Sequence, residues 1–328
     1  MKDLVFVTAQ PDVPYFHWQC KLYTYNFIKL GIRPEQIHIV FSIFKDKKPS
    51  DGALELKKTG VNVHFFVDER KDKSYIPSVK PYLVSKWMKQ NPELGKLFFL
   101  HDADIIFRKL PDFTSLTNDD INYLSDTIGY IGYDYIMYAC KNYERKHQQL
   151  KQGQLLEEMA KVIDLPIDLI KENQKNSGGG QYLIKNTTHD LWWKIYEDCT
   201  PLYNKMKEFH RIYPIDSGAI QFWTAEMWST LWHIWKAGHK TKISQELNFS
   251  WATDSVKIYE NKNILHMAGV TNSLKDKMFY KGEYINVNPI EKLRLHSNHF
   301  DYVDKNNASW KYIELMKEFI ISQNHVGK

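Results

Sequence analysis

Four apolar residues that run straight into a pair of acids place the strongest constraint on this chain. The stretch Lys96–Arg108, KLFFLHDADIIFR, reads as a buried strand, Leu97–Leu100, that stops at His101-Asp102-Ala103-Asp104 and resumes at Ile105-Ile106-Phe107. Carboxylates are seldom buried unless paired or bound to a metal. Acids at i and i+2 face opposite sides of a regular strand, so they converge on one cation only where the backbone turns at a strand end. One account is an Asp-x-Asp site holding a divalent cation against a diphosphate. The other is a strand that ends in two solvated acids. About one Asp-x-Asp is expected by chance in a chain of this length, so the apolar lead-in carries the weight.

The segments before it alternate. Leu4–Ala9, Ile37–Phe44 and Val61–Val67 read as strands, and His17–Leu30, Ala53–Thr59 and Pro81–Asn91 as helices. In His17–Leu30 the residues Trp18, Leu22, Tyr25 and Ile28 recur at helical spacing, with Gly31 at the stop. Glu69–Lys80 is charged and reads as loop. This alternation predicts an α/β fold with a doubly wound, mostly parallel sheet. Ligands in such sheets sit outside the carboxyl ends of strands, where Asp102 and Asp104 would lie.

The second half is less regular. A strand is expected at Ile128–Tyr133, helices at Glu144–Ile163 and Pro166–Asn173, and a sharp loop at Asn176–Gly180 feeding a strand Gln181–Lys185. Leu191–Phe209 reads as a helix broken near Pro201. Ala225–Lys236 is amphipathic, with Trp228, Leu231, Trp232 and Trp235 on one side. Thr241–Phe249 and Asn263–Met267 read as strands, and Lys311–Ile321 as a terminal helix packing on the body. No repeat and no Gly-, Pro- or Ser-rich linker is present, so one compact domain over 1–328 is the simplest organisation.

Composition enters as a filter. The chain is 43% hydrophobic and 25% charged, as a globular protein is, and its +5 charge permits an anionic partner without requiring one. Cys20, Cys140 and Cys199 are isolated, which argues against a disulfide framework and for a reducing compartment. The N-terminal run Leu4–Ala9 is too short for a signal segment, and no run approaches the ~18 apolar residues of a membrane span. The expectation is a cytoplasmic protein, in the host cytoplasm if viral.

Several further positions have two accounts each. Asn176–Gly180 lacks the Gly-Lys-Ser/Thr of a phosphate loop; its glycines either admit a ligand to the backbone or make an ordinary tight turn. His266, ending the run Ile264-Leu265, either completes an Asp, Asp, His set of the kind Mn²⁺ accepts or is structural. Lys275 and Lys277 follow it and have the charge to neutralise a leaving phosphate. Glu226 opens the tryptophan helix, where the helix dipole alone accounts for an acid. Asp216 reads equally as a turn residue. His296-Ser-Asn-His299 has a zinc-like spacing but nothing to complete a tetrahedral site.

Together, Lys80-Pro81-Tyr82 before a Trp-bearing helix, Phe98-Phe99-Leu100-His101-Asp102-Ala103-Asp104, Gly179-Gly180-Gln181-Tyr182, Glu226-Met227-Trp228 and Leu265-His266-x-x-Gly269 resemble nucleotide-sugar glycosyltransferases of the GT-A fold. More narrowly, the order is similar to the group of hydroxyproline arabinosyltransferases and peptidyl-serine galactosyltransferases, which also carry an opening like Tyr15-Phe16-His17-Trp18-Gln19. The likeness covers roughly residues 4–270. It implies a Rossmann-like nucleotide-sugar half (1–110), an acceptor half (111–270) and a C-terminal extension (271–328).

By that resemblance Asp104 and His266 bind Mn²⁺ (or Mg²⁺), and Asp102 reaches the metal through water or the ribose. Lys277 or Lys275 holds the diphosphate, and Thr8, Ala9 and Gln10 line a uridine pocket. Lys80, Gly179 and Gln181 surround the sugar of a UDP-sugar donor, while Glu226, with Asp216 as a further catalytic candidate, serves the acceptor or the anomeric carbon. Retention of anomeric configuration is implied. Those relatives act in the secretory pathway, whereas this chain shows no leader. The expected acceptor hydroxyl is therefore cytosolic: a surface-glycan precursor, a protein, or a hydroxymethylated DNA base in a microbial or viral setting. No DNA-binding motif is present. Two other readings are a metal-dependent phosphohydrolase, against which Ile105-Ile106-Phe107 after the acids counts, and a non-catalytic sugar-binding module.

Overall fold

The computed structural model describes residues 4–326. Its strands are β1 (Val5–Pro11), β2 (Ile37–Ile43), β3 (Asn62–Val67), β4 (Leu97–Leu100), β5 (Ile105–Phe107), β6 (Asn122–Asp126), β7 (Gly178–Lys185), β8 (Thr241–Ile243), β9 (Phe249–Trp251) and β10 (Ile264–His266). Helices Pro14–Lys29, Asp51–Leu56 and Val79–Gln90 separate the first four strands. The fold is α/β, as the alternation predicts. The residues divide into two compact units. One gathers Val5–Val67, His101–Phe113 and the chain from Glu246 onward; the other gathers Asp68–Leu100 and Thr114–Gln245.

In the first of these units, β1, β2 and β3 pair in parallel, with Thr8 opposite Ile39 and Ile39 opposite Val63. β1 and β2 are buried along nearly their whole length. That fits their largely apolar sequences, since parallel strands are covered on both faces, and it buries Thr8, Gln10, His38 and Ser42 as well. A small second sheet sets β10 antiparallel to β5 and parallel to β9. Trp310, Tyr312, Ile313 and Met316 of the final helix, Ala308–Val326, share one core cluster with Trp18 and Leu22 of the first helix and with Ile106 and Leu265. Trp18 Nε1 donates to the Tyr284 carbonyl at 3.2 Å. Residues beyond 270 thus complete a core that the first helix opens.

This unit also contains a pH-sensitive pair. His38 on β2 is 3% exposed, and its Nδ1 lies 3.0 Å from His64 Nε2 on β3. Burial, helped by charge on His64, pushes His38 down to about 4 from its ordinary 6.5. The folded protein therefore keeps His38 neutral where the unfolded chain takes up a proton. Stability present above about pH 6.5 is expected to fall as pH drops towards about 4. The His38 share is roughly 3 kcal/mol. Urea titrations of wild type and His38→Gln across that range check it: the variant's acid limb should be flatter, and identical limbs would refute the assignment.

The second unit sets β7 antiparallel to both β4 and β6, with β6 parallel to β8. The strands stay mostly parallel as expected, with β7 the antiparallel strand of this unit. The triple glycine begins β7 itself rather than forming a loop ahead of it. A Cβ on Gly178 would come within 2.4 Å of the Ser125 carbonyl oxygen, and Gly180 takes φ 83° opposite a register shift in β6. The glycines let two backbones meet at a bulge.

Other expectations in this half are corrected by tertiary packing. Ile128–Ile131 is a helical turn rather than a strand, and the strand lies earlier, at β6. The expected helix Glu144–Ile163 is two helices, Tyr133–Lys146 and Gln154–Ile163, divided at Gly153 with φ 71°. Helix His189–Ile212 runs unbroken through Pro201. It packs on helices Val79–Gln90, Gln154–Ile163 and Ala225–Lys236, and that packing outweighs one missing backbone donor. Thr241–Phe249 is not one strand but β8, a turn and the start of β9. Helix Ala225–Lys236 has the expected bounds; Trp228, Leu231 and Trp232 are fully buried, and Trp228 Nε1 donates to the Ile131 carbonyl at 2.9 Å. No helix among the described residues is long and apolar enough to cross a membrane.

Candidate functional site

The acids of the Asp-x-Asp sit in the turn between β4 and β5, and β5 is fixed at its far end by its neighbours. The buried amide of Asn26, on the first helix, clamps Phe107: its Oδ1 accepts from the Phe107 N–H at 2.7 Å and its Nδ2 donates to the Phe107 carbonyl at 3.0 Å. An asparagine so placed substitutes for a neighbouring strand. Phe27 stacks on the Phe107 ring at 4.3 Å. His101, itself buried, directs Nδ1 to the Asp102 carbonyl at 2.9 Å, and its ring packs on Tyr23. The turn is held from both ends.

The third residue arrives by register. β10 pairs antiparallel with β5 so that His266 lies opposite Ile105, one residue from Asp104, and the Met267 N–H donates to the Asp104 carbonyl at 3.0 Å. His266 Nε2 is 3.5 Å from Asp102 Oδ2 and 3.4 Å from Asp104 Oδ1. Trp251 stacks on the imidazole at 5.8 Å and Phe249 meets its edge, so the ring is held in place. One ligand atom from each of Asp102, Asp104 and His266 lies within 4.8 Å of the other two. Two carboxylates and an imidazole suit Mn²⁺, which accepts mixed oxygen and nitrogen donors. Asp104 and His266 are buried while Asp102 is 28% exposed, which leaves one open side.

A lysine is bound to the cluster, though not one that spacing favoured. Lys281 Nζ donates to Asp104 Oδ2. Lys275 is instead paired with Glu283 at 3.2 Å, and Lys277 is exposed. Burial alone would raise the Asp104 carboxyl, but Lys281 and His266 outweigh it and hold the acid well below the usual carboxylate range. Burial likewise works against the Lys281 charge, yet Asp104 and Tyr15 prevail and push it up to about 12. The lysine and its carboxylate are a charged pair. Tyr15, beside Lys281, has its phenol raised by burial. Nothing in the sequence marked Lys281 or tied Tyr15 to it.

Thr8, Ala9 and Gln10 all lie on β1 and all are buried. Thr8 Oγ1 donates to Gln10 Oε1 at 2.8 Å, and Gln10 Nε2 reaches Cys20 Sγ at 3.6 Å. The two polar side chains are engaged with each other and with the first helix. Beyond β1, Asp12 ties the exit loop to a later one: it accepts from His17 at 2.6 Å and from the Ser50 N–H at 2.8 Å.

The remaining candidates lie in the other unit. Lys80 Nζ is 3.5 Å from Glu226 Oε2, and Thr230 Oγ1 is 3.4 Å from Glu226 Oε1. Glu226 is 4% exposed, too buried for a simple helix-dipole acid on a surface. Its backbone N–H donates to Tyr75 Oη at 2.9 Å, and the same hydroxyl donates to the Trp223 carbonyl at 2.6 Å. Gly179 and Gln181 are buried in β7; a Cβ on Gly179 would press on Met227 and Tyr182, so protein side chains occupy the space its missing side chain leaves. Asp216 is apart from these, almost fully exposed and bonded to Lys146 at 3.0 Å, as a turn residue would be.

No family model and no curated protein matches the sequence. Among solved structures, 95% of the chain aligns with 51% of the bifunctional glycosyltransferase WbbM, at TM-score 0.46 and 8% identity. The chain therefore spans about half the length of that protein. It aligns over 96% of its length with 95% of the galactosyltransferase LgtC, solved with donor and acceptor sugar analogues, at TM-score 0.41 and 11% identity. Mouse xyloside xylosyltransferase 1 aligns with 80% of the chain over 96% of its own length, at TM-score 0.37 and 8% identity. Similarities of this size decide nothing for this chain; its own residues must.

Proposed function

We propose that the chain is a metal-dependent GT-A-type glycosyltransferase that moves a pentose or hexose from a UDP-sugar to a hydroxyl acceptor with retention. The observation that carries this reading is the convergence of Asp102, Asp104 and His266 within 4.8 Å, with Lys281 on Asp104. Asp102, Asp104 and His266 would hold the cation, Mn²⁺ ahead of Mg²⁺ because an imidazole is among the donors. The bound cation would supply charge stabilisation to a departing diphosphate. Lys281 adds a second positive charge, fixed before the reaction by Asp104 and Tyr15. The buried Glu226, oriented by Lys80 and Thr230, takes the opposite role and offers negative charge to the sugar's cationic centre. Thr8, Ala9 and Gln10 keep a share in the uridine pocket through the backbone of β1, because the Thr8 and Gln10 side chains are engaged elsewhere.

The test is UDP release from a panel of UDP-hexoses and UDP-pentoses, with Mn²⁺ and with chelator. Slow, chelator-sensitive release from one donor is expected even without acceptor. Metal-dependent hydrolysis of simple phosphomonoesters with no UDP release would favour a phosphohydrolase instead.

A further inference from the structure

The carboxylate of Asp104 has two oxygens, and the fold gives them different partners. Oδ1 faces His266 Nε2 at 3.4 Å, on the side where Asp102 also converges. Oδ2 accepts from Lys281 Nζ. Little freedom is left to exchange the two. Asp104 is buried, and its own carbonyl accepts from the Met267 N–H at 3.0 Å. The lysine is placed as firmly. It opens the short turn Lys281–Tyr284, and the chain is buried on either side of it at Phe279 and Tyr284, whose rings stack at 5.4 Å. Trp18 Nε1 holds the Tyr284 carbonyl at 3.2 Å, and Lys275 ties the preceding segment to Glu283 at 3.2 Å. An ammonium carried on an anchored turn is thus set against one oxygen of a fixed carboxylate.

We infer that Lys281 selects the cation: by occupying Oδ2 it confines Asp104 to coordination through one oxygen, and so disfavours Ca²⁺ against Mg²⁺ and Mn²⁺. The inference rests on the metal site of the proposed transferase and adds to it a residue that sets its specificity. Ca²⁺ gathers about six to eight oxygens and commonly takes two from one carboxylate. Mg²⁺ and Mn²⁺ are satisfied by octahedral sets of about six donors, to which a carboxylate can give a single oxygen. Two effects of the lysine are separable. Its charge repels every divalent cation alike, which changes affinity without changing preference. Its bond to Oδ2 changes preference. The imidazole of His266 also disfavours Ca²⁺, but it is present in every protein compared below.

The experiment uses the full chain as wild type, Lys281→Met and Lys281→Gln. Neither replacement carries a charge, and the glutamine side chain is one atom shorter than lysine. Bound and free Mn²⁺ are separated by the electron paramagnetic resonance signal of the free ion, while Ca²⁺ or Mg²⁺ is added as competitor. The expected result is that all three proteins bind Mn²⁺. In both variants the concentration of Ca²⁺ needed to displace it, relative to that of Mg²⁺, should be roughly tenfold lower than in the wild type. An unchanged Ca²⁺-to-Mg²⁺ ratio in a variant that still binds Mn²⁺ would overturn the inference. Loss of Mn²⁺ binding in both variants would overturn it as well, since Lys281 would then support the site rather than choose its cation. Absence of Mn²⁺ binding in the wild type would instead refute the metal site itself, and with it the reading on which the inference rests.

Discussion

Replacing Asp104 by alanine is expected to abolish divalent-metal binding and to lower metal-dependent transfer by about 10³-fold or more. The same change should destabilise the metal-free protein by about 3–5 kcal/mol, because it strips a buried lysine of its carboxylate. Lys281 is only 25% exposed and its charge is held by Asp104 first. Both effects follow from one side chain, and a second substitution separates them. In Asp104→Ala/Lys281→Met the unpaired charge is gone, so urea denaturation should recover most of the lost stability while calorimetry still finds no metal bound. If the double variant regained metal binding, Asp104 would not be a ligand. If the single variant were as stable as wild type, the Lys281 pair would be a surface contact of no consequence.

The second large effect is expected at Glu226. Glu226→Gln keeps the volume and both ends of the side chain but removes the negative charge beside Lys80. Turnover at saturating donor should fall by about 10²–10³-fold, while the donor KM changes by less than about threefold. Steady-state UDP release provides the measurement. An unchanged turnover number would return Glu226 to the role its sequence position alone suggests, an acid favoured by the N-terminus of helix Ala225–Lys236.

What the sequence revealed of this molecule depended on how local the signal was. The strands before residue 101 were legible because each is a short, mainly apolar or β-branched run between turn signals, and the tryptophan helix because its rings recur at helical spacing. Asp102 and Asp104 stood out because acids interrupt such a run. His266 could only be a candidate, since the fact that joins it to them is the β5–β10 register, a pairing across more than 150 residues. Lys281 was not legible at all: it lies in a short turn, Lys281–Tyr284, where periodicity has no purchase, and two other lysines precede it closely. β7 was misread for a related reason. Its glycines look like a loop because their purpose, the close approach of Ser125, lies on another strand. The unbroken helix through Pro201 makes the same point, since propensity yielded there to packing from three neighbouring helices.

The most direct measurement of the central claim is titration calorimetry of the wild-type protein with UDP, run once with Mn²⁺ and once with chelator. The account predicts that UDP binds in the presence of Mn²⁺ and that binding is lost with chelator and in Asp104→Ala. UDP binding of equal strength with and without the metal, or none in either condition, would contradict it.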